Sequence, residues 1–395
     1  MGIVLAVVVP AAPAVASADT TPLSSSHRAV STAVSAHRAL DGSGGAENSL
    51  ASFQRAARSG ETDIEGDVRA TKDGSFVMSH DASLRTPRCA GPYLDVPLRA
   101  LTLAQVGKMT CSGEPVARLA DVIDVVRPYP AAILRVEVKH AGTDTSTMRT
   151  SDAVRLAKTL AGAGMTARSI VQDFDWATTT RAVRTASPTQ RVSALAGTLT
   201  VATVASARSL GAYDLSYAQG ASTGFWNRLI AANGLRSTVW TVDDPTRARV
   251  LRAEGVRTVI SNVPSTVRAA LGAPASECRL TTYPAATPTR GVTLAPGART
   301  SATLPQRSPD GRVVETALVR VTASTSSGAA ALRVAPQGTP LTTTWEQTIT
   351  VDSTSRSTVI EVALGDRGAI RIRNTSTRAV SLAMRLVGGR AYTCS

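Results

Sequence analysis

The 395-residue chain lacks several features that would settle its class at once. No apolar run reaches the length that a bilayer requires, so no segment qualifies as a transmembrane helix. Lysine and arginine form no compact run, and no basic stretch is interleaved with aromatics, so the usual footprint of nucleic-acid binding is missing. The four cysteines include no C-x-x-C pair and the four histidines do not cluster with them, which argues against zinc. No G-x-G-x-x-G turn follows the first strand-like run, so the dinucleotide-binding signature is absent. No short-period repeat is visible.

What remains is an ordinary globular composition, 43% apolar and 18% charged, in a chain long enough for more than one domain. The formal charge of +14 comes from scattered arginine. Diffuse positive charge of this kind attracts anionic small molecules, lipid headgroups or wall polymers. Residues 1–18, ending Ala-Ser-Ala before Asp19, read as a signal-peptide core with an A-x-A cleavage site, although no charged n-region precedes it. The reading predicts a secreted protein. An even set of cysteines agrees, and the spacing suggests two disulfides, Cys89 with Cys111 and Cys278 with Cys394.

Strand-like and helix-like runs alternate between about 32 and 272. Strands are expected at Ala33–His37, Asp63–Val68, Ala132–Val138, Ile170–Phe174, Val192–Leu195, Ala212–Ser216, Ser237–Val242 and Thr258–Ser261. Eight such units match a (β/α)8 TIM barrel, with a doubly wound sheet as the alternative. From about Cys278 the texture changes to short alternating Thr/Ser/Val runs, which predicts an all-β sandwich. The expected domains are therefore 19–275 and 276–395.

One segment breaks the alternation. Only Thr71-Lys72-Asp73-Gly74 separates Phe76–His80 from the preceding strand, too few residues for a parallel crossover. Asp-Gly is a hairpin signal, so Phe76–His80 should fold back antiparallel and place His80 opposite Gly66 or Asp67. On that preceding strand Glu65 and Asp67, two apart, share a face, and Glu137 and Lys139 repeat the spacing in ILRVEVKH. In a barrel all four point inward near the active end. Three inward carboxylates need a cation, and oxygen ligands suit Ca²⁺ or Mg²⁺ better than zinc. The alternative is a salt-bridge layer among Glu65, Asp67, Glu137 and Lys139. His37 and His80 both end near this cluster and suit acid–base work, while Arg38 and Lys139 offer positive charge to a phosphoryl group.

The segments AHRA, AENSLASFQRAARSGETDIEGDV, TKDG, MSHD, RVEVK and VWTVDDPTRARVLRAEGVRTVISNVPS resemble the glycerophosphodiester phosphodiesterase family, in the right order over about residues 35 to 272. The resemblance implies a TIM barrel that cleaves glycerophosphodiesters to glycerol 3-phosphate and an alcohol with a divalent cation. It implies His37 and His80 as the acid–base pair, Glu65, Asp67 and Glu137 as metal ligands, and Arg38 and Lys139 as phosphate holders. It also implies Trp240 in the substrate pocket and Glu47 and Asn48 as supporting or capping residues. The sequence departs at Ala39 and Ala46, which stand where the family usually has Gly and Pro, and at Asp173, where Ser is common. Asp173 is read either as a receptor for a cationic alcohol or as a structural ion-pair member. Two other functions stay open at this point: a phospholipase D or sphingomyelinase D-like action on lipid headgroups, and non-catalytic binding to a wall polymer.

Overall fold

The computed structural model describes residues 5–6, 31–272, 278–287, 289–326, 328–339, 347–351 and 355–394. Of the leader expected at 1–18, all but residues 5 and 6 lie outside these. Eight parallel strands close into a barrel: β1 (Ala33–Ala36), β2 (Asp63–Ala70), β4 (Ile133–Val138), β5 (Ser169–Asp173), β6 (Arg191–Ala196), β7 (Asp214–Ala218), β8 (Arg236–Trp240) and β9 (Thr258–Ser261). Closure runs through β9 beside β1, with Ser261 paired to Ala36. The intervening β3 (Phe76–Met78) is antiparallel to β2, Val68 facing Met78. Continued by two residues, that register sets His80 opposite Gly66.

Local chemistry explains the helices that matter for the site. Helix α1 (Leu50–Arg58) starts at Ser49, whose side chain accepts from the Ser52 amide, and Phe53, Ala56 and Ala57 bury one face. Gly66 lies beneath that face. A Cβ there would stand 2.5 Å from Phe53 and 2.8 Å from Met78, so only glycine lets α1 and β3 close over β2 between the two acids. The helix Pro245–Glu254 has Asp244 as N-cap, Pro245 at its first turn and Gly255 in the left-handed region at its end.

The lower part of the barrel holds a charged layer that strand alternation alone does not announce. Arg135 on β4 is 1% exposed and bridges Asp63 on β2 (2.9 Å) to Asp214 on β7 (3.0 Å). Ser35 and Thr238 donate to the same two acids. Removing the guanidinium strands two buried carboxylates, so Arg135→Met is expected to lower stability by about 3–5 kcal/mol, read by urea unfolding. A loss under 1 kcal/mol would mean that the layer is not ionised as drawn.

Between β3 and β4 the chain forms a small three-stranded sheet, Cys89–Ala90, Thr110–Cys111 and Glu114–Pro115, around its own apolar cluster. The Cys89–Cys111 disulfide crosses it, as expected. Cys278–Cys394 joins the two ends of the C-terminal region. There, antiparallel strands stack as two sheets over one apolar core. One sheet contains β10 (Cys278–Pro284), β11 (Arg290–Leu294), β13 (Thr316–Ser324), β16 (Ser355–Ala363) and β18 (Val380–Cys394). The other runs β12 (Arg299–Thr303), β17 (Ala369–Asn374), β14 (Ala330–Pro336), β15 (Gln347–Val351). Among the described residues no helix is long and apolar enough to cross a membrane.

The sandwich meets the barrel through two acids placed at helix N-termini. Asp366 accepts the Val201 amide at the start of α2 (Val201–Ser209), and Glu315 accepts the Gly224 amide at the start of α3 (Gly224–Ala232). Glu315 is buried against Glu254, which is held by Ser222 and Arg247. Burial, with the Glu254 charge behind it, holds Glu315 well above the ordinary carboxylate range. Burial raises Glu254 too, against the pull of Arg247. The native state therefore keeps protons that the unfolded chain has lost above its ordinary value of 4.5. Stability contributed here is greatest below that value and falls as pH rises. Unfolding followed from pH 5 to pH 8 should show that decline, and Glu315→Gln should flatten it; an unchanged slope would contradict the assignment.

Candidate active site

Glu65 and Asp67 in the middle of β2 and Glu137 near the C-terminal end of β4 converge. Register pairs Asp67 with Glu137 directly, and one carboxylate oxygen from each of the three lies within 4.8 Å of the others. Glu65 and Asp67 are 1% exposed and Glu137 8%. Lys139 ion-pairs with Asp67 and Glu137, so part of the expected salt-bridge layer is present within the acidic cluster, while the Arg135 layer below it is built from other residues. Lys139 Nζ lies 2.5 Å from Glu137 and 3.3 Å from Asp67. Arg38 follows β1 in a tight turn with φ 52°, its amide donating to Glu65 (2.8 Å) and its guanidinium spanning Asp67 (3.3 Å) and Glu47 (2.6 Å).

Three buried carboxylates thus share two cations, one of which also serves Glu47. Burial, then the charges of Asp67 and Glu137, push Glu65 well above the usual range. Burial also raises Glu137, to about 7, against the opposing effect of Lys139. Burial works against the Lys139 charge, but Glu137 and Asp67 outweigh it and leave Lys139 raised. A cluster whose acids resist ionising together is short of positive charge, and its all-oxygen donor set fits a hard divalent cation. Asn48 secures Asp67, donating to its carboxylate and accepting from its backbone N–H, both at 2.9 Å. Gln172 on β5 donates to Glu65 at 3.2 Å.

The two expected histidines, His37 after β1 and His80 after β3, have different supports. His37 Nδ1 lies 2.7 Å from Asn262 Oδ1, and Asn262 donates its amide nitrogen to Asp243 at 2.7 Å. A carboxylate only accepts, which fixes the Asn262 orientation and makes Nδ1–H the donor on His37. Nε2 is left with its lone pair. Burial lowers the His37 pKa, and the Asn262 hydrogen bond only partly offsets that. His80 Nδ1 lies 2.9 Å from Asp81, itself 3.4 Å from Arg88. Arg88 also reaches Glu47, so one chain of charges links His80 to Arg38. A cavity of about 30 Å³ beside His80 is lined by Glu47, Asn48, Arg88 and Cys111, which brings the disulfide-braced sheet to the mouth.

Trp240 and Asp173 are the remaining expected residues. Trp240 ends β8 and meets Phe174 edge-on, ring centroids 6.0 Å apart, with Phe174 52% exposed. Asp173 is 1% exposed and accepts from the Asp175 amide, from Thr179 and, at 2.9 Å, from His140 Nε2. Its carboxylate is consumed inside the protein, in line with the structural reading. Asn262, Asp243, Asp81 and Phe174 contact the expected site residues without being singled out by the motifs. For Asn262 a signal exists: the residue after β9 must lie beside the residue after β1 once the barrel closes.

The profile described as the glycerophosphoryl diester phosphodiesterase family matches residues 27–266. The chain belongs to that family. It is accordingly a phosphoric diester hydrolase of the glycerophosphodiesterase type. No curated protein matches it in sequence. Among solved structures it is similar to a glycerophosphodiester phosphodiesterase from Parabacteroides distasonis, at 23% identity and a TM-score of 0.55 over 62% of this chain and 98% of that one. It is also similar to a phosphodiesterase from Oleispira antarctica in complex with the product sn-glycerol-3-phosphate, at 21% identity and a TM-score of 0.52 over 61% of this chain and 97% of that one. These likenesses concern the barrel and speak for its fold.

Proposed function

We propose that this protein is an exported, cation-dependent enzyme that hydrolyses glycerophosphodiesters to glycerol 3-phosphate and an alcohol. The observation that carries the reading is the buried Glu65–Asp67–Glu137 cluster together with the two differently supported histidines. The product seen in the Oleispira antarctica phosphodiesterase supports the same product here. Export is supported by the two disulfides, which oxidising compartments favour.

Glu65, Asp67 and Glu137 would hold one Ca²⁺ or Mg²⁺. A cation held there supplies charge, offsetting what builds on the phosphoryl oxygens. Arg38 and Lys139 orient the phosphoryl group from the other side of the cluster. His37, kept neutral by burial and with Nδ1–H committed to Asn262, takes the proton of the attacking oxygen at Nε2. That oxygen belongs to water or to a hydroxyl of the substrate's own glycerol. It bonds to phosphorus, the bond to the leaving alcohol breaks, and His80 delivers a proton to the departing oxygen. Where the attacker is the glycerol hydroxyl, the product is a cyclic diester, which water then opens to glycerol 3-phosphate. In that step His80 takes the water's proton and His37 returns one to the ring oxygen. His80 is half-buried and meets solvent, so it can be reprotonated between turnovers. Phe174 and Trp240 form an aromatic edge against which the leaving alcohol packs.

The test is a panel of glycerophosphocholine, lysophosphatidylcholine and sphingomyelin given to purified protein with Ca²⁺ or Mg²⁺. Release of glycerol 3-phosphate from the deacylated diester, at a rate well above turnover of the acylated pair, is expected. Preference for the acylated substrates would instead favour a phospholipase D or sphingomyelinase D-like action.

A further inference from the structure

Barrel and sandwich enclose a cleft of about 530 Å³. Its barrel wall is built from residues that follow two strands, Gln219 and Gly220 after β7 and Asp244 and Thr246 after β8. Its sandwich wall comes from the turn between Arg307 and Val313 and from Tyr392, close to the Cys278–Cys394 disulfide. That turn is tight: the Ser308 amide donates to the Arg312 carbonyl at 2.8 Å, and Gly311 takes a φ of 84°. Both of its arginines, Arg307 and Arg312, line the cleft. A cavity of this size between two domains is a usual setting for a small-molecule site.

Three of the four charged residues that line the cleft are arginines, and they are committed to different degrees. Arg247 belongs to the wall itself, paired with Glu254 at 2.7 Å and donating to the Gln219 carbonyl at 3.0 Å. Arg312 is braced: Nη1 donates to Thr281 and Thr393 (2.8 and 2.6 Å), and Nε lies 2.7 Å from Asp310. Its Nη2 makes no hydrogen bond among the described residues. Arg307 is exposed and forms no ion pair among the described residues; its Nη1 donates to the Gly311 carbonyl at 2.7 Å. Its Nη2 reaches toward the barrel wall, 3.8 Å from where a Cβ on Gly220 would stand. The one acid of the lining, Asp244, already accepts the Thr246 amide at 2.8 Å as a helix cap. Donors therefore come from two walls, the guanidiniums from the sandwich and the Thr246 hydroxyl from the barrel. A tetrahedral phosphate presents oxygens to both walls at once, whereas a carboxylate presents two in one plane. Val250 on the barrel and Val313 with Tyr392 on the sandwich offer apolar surface to the rest of a ligand.

We propose that this cleft binds a small organic phosphate, with the phosphoryl group between Arg307 and Arg312 and the organic part against Val250, Val313 and Tyr392. It is a second site, separate from the acidic cluster of the barrel. The probe is phenyl phosphate, titrated by calorimetry against full-length protein that has been stripped with EDTA and dialysed. Arg307→Gln, at an exposed position, is expected to weaken binding at least about tenfold, because a charge-assisted pair is lost. Hydrolysis of glycerophosphocholine by the same variant, loaded with cation, should be unchanged. Gly220→Leu fills the cleft from the barrel side and leaves every arginine in place; the φ of Gly220 lies outside the left-handed region, so a side chain is tolerated there. It should weaken binding by a similar factor. Benzoate, which lacks the tetrahedral group, and inorganic phosphate, which lacks the organic part, should each bind at least about tenfold more weakly than phenyl phosphate. No saturable binding by the unaltered protein, unchanged binding by Arg307→Gln or by Gly220→Leu, or equal affinity for benzoate or inorganic phosphate would each overturn the proposal. So would a loss of hydrolysis in step with the loss of binding in Arg307→Gln.

Discussion

His80→Ala is expected to lower kcat on glycerophosphocholine by about 10²- to 10⁴-fold, the range for a positioned acid or base. His37→Ala should lose as much, and the two variants are separable by the leaving group. Choline's alkoxide needs a proton, whereas p-nitrophenolate leaves without one. On a p-nitrophenyl phosphodiester the His80 variant should therefore recover most of its loss, and the His37 variant should recover none. The asymmetry follows from the ring supports: Asn262 leaves His37 a neutral Nε2, while His80 stands half-buried beside Asp81. Equal recovery by both variants would refute the division of labour, and recovery by His37→Ala alone would reverse it.

The second large effect concerns the carboxylates. Glu65→Gln removes one of three converging oxygens with almost no change in shape. Loss of an outer partner costs roughly 10- to 100-fold in metal affinity or activity. Asn48→Ala, which frees Asp67 from its two hydrogen bonds, belongs in that range. Glu65→Gln should exceed it, and added Ca²⁺ or Mg²⁺ should restore Asn48→Ala more completely than Glu65→Gln. Activity within tenfold of normal for Glu65→Gln would remove Glu65 from the ligand set.

Why some of this is legible in the sequence and some is not follows from sequence distance. His80 can be placed because a hairpin is local: the Asp73-Gly74 turn sets the register, and counting across it leads to Gly66. Glu65 with Asp67, and Glu137 with Lys139, are equally local, since alternation within one strand decides their face. The Asn262 support for His37 is 225 residues away and arises only when β9 closes on β1. Arg135 reads as an odd cation in an apolar strand until Asp63 and Asp214, 72 and 79 residues distant, are brought to it. Phe174 reads as the end of a strand. In the structure the strand stops at Asp173, whose carboxylate captures the Asp175 amide and turns Phe174 outward. Glu315 and Asp366 sit in β-rich sequence with no local pattern, and their task appears only where they meet the starts of two barrel helices.

The central claim is that the buried acids hold a cation on which hydrolysis depends. Protein stripped with EDTA and then titrated with Ca²⁺ or Mg²⁺, with binding followed by calorimetry and glycerol 3-phosphate release by phosphorus NMR, tests it most directly. Activity should be absent at the start and rise in step with occupancy of one ion per chain, while Asp67→Asn shows neither. Undiminished hydrolysis by the stripped protein, or equal ion binding by Asp67→Asn, would contradict the claim.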